Sequence, residues 1–198
     1  MRIIIAPDSF KGSNTSFRVA ETIERGIRKV VSDAEIVIIP IADGGEGTVE
    51  AVVLGGQGSY EDVNVTGPLG ESVTARYGIL KSGRGVIEMA AASGLPLVSR
   101  DQRNPLLTTS YGTGELIRDA LDKGCKEILI GIGGSATTDA GVGMAQALGV
   151  SFTDDTGKEI GLGGGELSRL AKIDVSEIDP RAADTRFIVA CDVRNPLY

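Results

Sequence analysis

Residues 2–6, Arg2 apart, form an apolar run, the pattern of a short strand covered on both faces. After a loop at 7–13, Phe17, Ala20, Ile23, Ile27 and Val30 recur at helical spacing, with Ser13, Asn14 and Thr15 available to cap the first turn. Residues 35–39 are a second apolar strand, ended by Pro40. The Asp43-Gly44-Gly45-Glu46-Gly47 loop follows, then a short helix at 48–54 stopped by Gly55 and Gly56. Strand, helix, strand, loop, helix predicts the opening of a parallel α/β sheet. The pattern changes at Thr66-Gly67-Pro68-Leu69-Gly70, and the chain is expected to divide near residue 68. Beyond it, extended segments at 72–80 and 86–89 flank a Lys81-Ser82-Gly83-Arg84-Gly85 turn, which predicts an antiparallel hairpin. A helix at about 113–123, a strand at 127–132, a loop at 133–138 and a helix at about 139–148 come next. A polar, glycine-rich loop at 154–165 precedes an apolar strand at 186–191. The chain stops just past that strand, and a truncated chain is expected.

Composition narrows the partners. Apolar residues make up 41% and charged residues 24%, an ordinary globular balance that argues against disorder. Aromatics are only 4% while glycines number 28, so the core is Ile, Val and Ala with many close backbone approaches. The net charge is −7 with no basic run, which argues against nucleic acid as a partner. Backbone N–H groups can still bind an anion locally, so a nucleotide remains compatible with that charge. Cys125 and Cys191 form no spacing pattern and are expected as two buried thiols in a reducing compartment. The N-terminal apolar run is too short for a signal segment and no stretch matches a membrane span, so a cytoplasmic protein without membrane contact is expected. Histidine is absent, which removes histidine triads and histidine metal sites and leaves acid–base work to Asp, Glu, Lys, Tyr or Cys.

Four strand-end loops could carry chemistry. The strongest runs from Gly131 to Gly141 between a strand and a helix. Its glycines, Gly133 and Gly134 among them, allow N–H groups to form a concave nest, and Ser135, Thr137 and Thr138 add hydroxyl donors for phosphate. Asp8, Ser9 and Lys11 follow the first strand; Lys11 could reach a phosphate or a carboxylate, and Asp8 could orient it or hold Mg²⁺ through water. Asp43 and Glu46 bracket Gly44 and Gly45, a grouping suited to Mg²⁺ or to substrate hydroxyls. Asp192, after the last strand, could accept a proton or bind metal. Glu88 and Ser93, mostly packing residues, could face the same cleft.

A rival reading uses the same glycines. Gly131, Gly133 and Ala136 fit Gly-x-Gly-x-x-Gly/Ala, with Asp154 at about the distance of a ribose-binding acid, so a nicotinamide-dependent oxidoreductase is the alternative. Residues 150–153 make a poor buried parallel strand for mounting that acid. Asp139 would also set a carboxylate beside the pyrophosphate unless a metal ion stood between them, which adds Asp139 to the candidate metal ligands. A non-catalytic ligand-binding fragment is the further alternative.

Six segments together resemble the type 1 glycerate kinases: Ala6-Pro7-Asp8-Ser9-Phe10-Lys11-Gly12-Ser13, residues 42–48, 88–95, 109–116, 131–141 and 192–197. The resemblance implies ATP and Mg²⁺ as cofactors, D-glycerate as acceptor and a phosphoglycerate product. It implies an α/β fold in which a Rossmann-like parallel-sheet domain is interrupted by a second, mixed α/β domain, with the active site in the cleft between. Residues 1–68 would be the first part of the Rossmann-like domain and 69–198 the inserted domain. Family members continue well past Asn195-Pro196-Leu197, so completion by a C-terminal segment, a partner chain or oligomerisation is expected, with little turnover from these residues alone. No Gly-x-x-x-x-Gly-Lys-Ser/Thr occurs, so the phosphates fall to Gly133–Thr138. Direct phosphoryl transfer is expected, with Lys11 neutralising the transferred phosphate or gripping the acid. Asp43, Glu46 or Asp192 would hold Mg²⁺, and Asp192 would be the general base.

Overall fold

The computed structural model describes residues 1–10, 13–191 and 193. Strand β1 (Arg2–Ile5), helix α1 (Ser16–Arg28) and strand β2 (Glu35–Ile38) form a small unit in which β1 and β2 pair in parallel. Thr15 caps α1, its side-chain oxygen accepting the Arg18 N–H at 3.3 Å. Helix α2 (Thr48–Gly56) follows and ends at Gln57, itself left-handed at φ 52°.

Strand β3 (Ser59–Thr66), β4 (Ser72–Ile79), β5 (Gly85–Glu88), β6 (Glu127–Gly131) and β9 (Arg186–Ala190) form one mixed sheet in the order β3-β4-β5-β6-β9. The first pairs are antiparallel, and β5-β6-β9 are parallel. Residue 68, where the sequence suggested a division, lies in the turn of the β3–β4 hairpin, which pairs from Ser59↔Ile79 to Thr66↔Ser72. Helices α3 (Met89–Ser93), α4 (Tyr111–Asp122), α5 (Val142–Ala147) and α6 (Pro180–Ala183), a second pair β7 (Ser151–Thr153) and β8 (Lys172–Asp174), and short 3-10 turns are the other elements among the described residues. β7 and β8 pair antiparallel, apart from the main sheet.

Strand alternation assigns the two sheet faces. Ile87, Ile128 and Ile130 join Val65, Tyr77, Leu116 and Ile117 in the main core beneath α4. Val86 turns the other way and packs with Val49 and Val53 of α2, with Leu129 against them. Both faces of β5 and β6 are therefore covered, as their near-continuous apolar sequences require. The β1–β2 unit is less covered: Ile4, Ile39 and Ile41 remain 61%, 48% and 49% exposed. Of the two thiols expected to be buried, Cys125 is buried and Cys191 is exposed. Among the described residues no helix is long and apolar enough to cross a membrane.

Candidate active site

The three parallel strands end level, with Glu88 opposite Gly131 and Gly131 opposite Ala190. Three connections therefore leave one edge of the sheet, the edge at which open α/β sheets bind ligands. The Asp43–Gly47 loop is laid across that edge. The Gly133 N–H donates to Gly44 O at 3.0 Å. Only glycine allows this approach: a Cβ at Gly133 would come 2.7 Å from Gly45 Cα, and one at Gly44 2.6 Å from Ala190 O. A Cβ at Gly131 would run into Gly44 O.

The Gly133–Thr138 loop is stitched to the segment after β5. Leu95 N–H donates to Gly134 O and Ala136 N–H to Ser93 O, each at 2.9 Å. Within the loop, Thr137 N–H donates to Ser135 Oγ at 3.2 Å, while Thr137 Oγ1 donates to Thr108 O at 2.6 Å and accepts the Asp139 N–H at 3.1 Å. The Ser135 and Thr137 hydroxyls, expected to donate to phosphate, thus hold the loop's own shape. Thr138 is exposed, its Oγ1 3.5 Å from Pro105 O. The N–H groups of Gly134, Ser135 and Thr138 meet no acceptor among the described residues. Gly134 is left-handed at φ +74°, so two successive free N–H groups flank a bend of the kind that forms an anion nest.

Two sequence expectations are corrected here. Ser93 does not face a cleft: it is fully buried, its Oγ 2.9 Å from Thr113 Oγ1, because the short α3 turns it into α4. Asp139 is spent on structure rather than available to a metal. It is 2% exposed, and its Oδ2 accepts the Ser110 N–H and Ser110 Oγ–H at 2.8 Å and the Gly143 N–H at 3.2 Å. Its Oδ1 accepts the Gly141 N–H at 3.1 Å. This carboxyl thereby starts α5, which opens at Val142 after left-handed Gly141, three residues later than the apolar pattern suggested.

A cleft of about 500 Å³ is lined by Ser9 and Thr15 before α1, by Glu46 and Gly47 before α2, by Glu88, and by Tyr60 and Arg76 of β3 and β4, with no residue of the 131–141 loop in its wall. Glu46 is exposed on its wall. Asp43 Oδ1 accepts the Gly45 N–H at 2.9 Å, which closes the turn between the two carboxylates. Asp8 Oδ1 accepts its neighbour Ser9's N–H at 2.6 Å, and the side chain is exposed outside the cleft lining. Glu88 is more enclosed. Its Oε1 accepts the Val49 N–H at 2.7 Å. Its carboxyl is raised above the ordinary value, chiefly by burial, which outweighs the opposing backbone N–H groups of α2's first turn, with the charge of Glu46 adding to the rise. Lys11 and Asp192 lie outside the described residues. Among the described residues no group of three or more His, Cys, Asp or Glu is placed to hold a metal ion. Mg²⁺ commonly takes one or two carboxylates and completes its shell with phosphates and water, a requirement that Asp43 and Glu46 fit and Asp139 does not.

Sequence reasoning underrated Glu88, since its partner is 39 residues away and no local motif announces it. The rival acid fares worse. Asp154 follows the short β7 outside the main sheet, and the Thr156 hydroxyl and Arg169 guanidinium hold its carboxyl well below the usual range.

The glycerate kinase family model matches residues 3–198. The chain belongs to the glycerate kinase family. Glycerate 2-kinase of Escherichia coli (strain K12) is 56% identical over 198 residues, which cover 100% of this chain and 52% of that protein. Glycerate kinase of Bacillus subtilis (strain 168) is 57% identical with the same coverage. A crystal structure assigned to glycerate kinase 2 of Salmonella typhimurium LT2 superposes with a TM-score of 0.86 at 54% identity, covering 100% of this chain and 54% of that one. The chain thus spans about half the length of the curated glycerate kinases it matches. Membership makes it a kinase sequence of mixed α/β fold.

Proposed function

We propose that the protein transfers the terminal phosphate of ATP directly to D-glycerate, with Mg²⁺ assisting, and does so in the cytoplasm. The docking of Gly133 on Gly44 carries this reading, because it joins a loop suited to phosphates to a loop bearing two carboxylates on one sheet edge. The phosphates are assigned to the free N–H groups of Gly134, Ser135 and Thr138. Asp43 and Glu46 would hold Mg²⁺, which when bound offsets charge on the phosphates. D-Glycerate is assigned to the cleft beside Ser9, with Lys11 gripping its carboxylate or the transferred phosphate and Asp192 accepting its hydroxyl proton. The 56%-identical Escherichia coli relative is named a glycerate 2-kinase, and transfer to the 2-hydroxyl is the regiochemistry proposed here. The apolar face around Ile4, Ile39 and Ile41 is read as covered by further polypeptide or a second copy.

Thermal melts test the reading. ATP with Mg²⁺ at about 100 times its Kd should add about 2.7 kcal/mol of stability, and NAD should add none. Stabilisation by NAD but not by ATP would replace it with the oxidoreductase.

A further inference from the structure

We propose that Glu88 is a positioning residue: from the end of β5 its side chain clamps the first turn of α2 and so fixes the Asp43–Gly47 loop over the sheet edge. The clamp stands on geometry alone, and its consequence for ligand binding rests on the kinase reading.

The first N–H groups of a helix have no partner within it. At α2 the N-cap is Gly47, at φ 92°, which has no side chain to supply one. Glu88 does so from another element, its Oε1 accepting the Val49 N–H at 2.7 Å. Because Glu88 sits opposite Gly131 in the parallel register, this clamp and the root of the glycine loop stand at one level of the sheet. The intervening segment is consequently fastened twice, by Gly133 N–H on Gly44 O and by Glu88 on α2. Glu46 lies between the fastenings and lines the cleft with Glu88 and Ser9.

The left-handed backbone of Gly47 disfavours Ser, Thr or Asp there, so the cap has to come from outside the loop. A glycine there, capped from a strand, ties the loop to the sheet instead of to itself. An ionised carboxylate can accept several N–H groups at once, whereas a glutamine presents one acceptor and one NH₂ donor. Glu88→Gln therefore keeps the volume and weakens the clamp.

The experiment compares the wild-type chain with Glu88→Gln by amide hydrogen exchange and by titration calorimetry with D-glycerate and with ATP·Mg²⁺. Exchange at 47–49 should accelerate about tenfold, the difference between a charge-assisted and a neutral hydrogen bond. Amides of β4 should stay within about twofold of wild type, which reports that the variant is folded. The D-glycerate Kd should rise about tenfold while the ATP·Mg²⁺ Kd, set by the glycine loop, stays within about threefold. Unchanged exchange at 47–49 would overturn the clamp. Faster exchange with both affinities unchanged would overturn the positioning role. Failure of the wild type to bind either ligand would instead sink the kinase reading, with the exchange result still deciding the clamp.

Discussion

Substituting Gly133 by alanine tests whether the two loops are held together by backbone contact. Gly133 needs no left-handed conformation, so the cost is one of space alone. The new Cβ would sit 2.7 Å from Gly45 Cα, 3.1 Å from Gly45 N and 3.3 Å from Gly44 O, all of them backbone atoms that no rotamer change can move. Restoring a contact of about 3.5 Å requires the loops to part by about 0.8 Å. That separation breaks the 3.0 Å hydrogen bond from Gly133 N–H to Gly44 O. A lost hydrogen bond and local overpacking together cost about 2–4 kcal/mol. For a chain of this size the melting temperature should fall by about 4–16 °C. Circular dichroism melts of the variant, with and without ATP·Mg²⁺, measure both the fall and the accompanying loss of nucleotide protection. Gly26→Ala in α1 is the control, since nothing lies within 4 Å of its Cβ and the helix should gain about 0.8–1 kcal/mol. A Gly133→Ala chain that melts within a degree of wild type and keeps its ATP response would refute the docking of the loops.

Asp139→Ala strands the buried Ser110 and Gly143 N–H groups and should cost about 3–5 kcal/mol in urea unfolding; a loss below about 1 kcal/mol would show that the carboxyl is not the staple described. Asp154, whose carboxyl is depressed in the fold, contributes stability that is present above its unfolded value of about 3.9 and lost as pH falls through its folded one. Asp154→Asn should therefore be less stable than wild type at pH 7, with the gap closing below about pH 4 in thermal melts; a gap independent of pH contradicts this. Asp192→Asn should lower glycerate-dependent ADP release by about 10²–10³, and near-wild-type turnover would remove Asp192 from the mechanism.

The apolar runs of β1, β2, β6 and β9 were legible as continuous signatures, although β6 alone of the four is covered on both faces here, Ile4 of β1 and Val189 of β9 remaining exposed. β3 was not. Exposed Tyr60, Asp62 and Asn64 alternate with Glu61, Val63 and Val65, and the strand gains sense only from its partner, through the Asp62–Arg76 pair and the Asn64–Thr74 hydrogen bond. The loops of the site were legible as glycine and acid clusters at strand ends. Their mutual contact was not, because a Gly133–Gly44 bond is settled by how two distant backbones pack. The structural partners of Ser93, Thr137 and Asp139 were not legible for a related reason: a hydroxyl or carboxyl beside a glycine loop looks the same in sequence whether it meets a ligand or a buried N–H. Here Thr108 and Ser110, from a different segment, took that capacity.

Amide chemical-shift mapping reaches the central claim most directly. Adding ATP·Mg²⁺ and then D-glycerate to the isotope-labelled chain should perturb Gly134, Ser135 and Thr138 with the nucleotide, and Ser9 and Glu46 with the acid. Shifts confined to residues away from the β5-β6-β9 edge, or none with either ligand, would contradict a shared site on that edge.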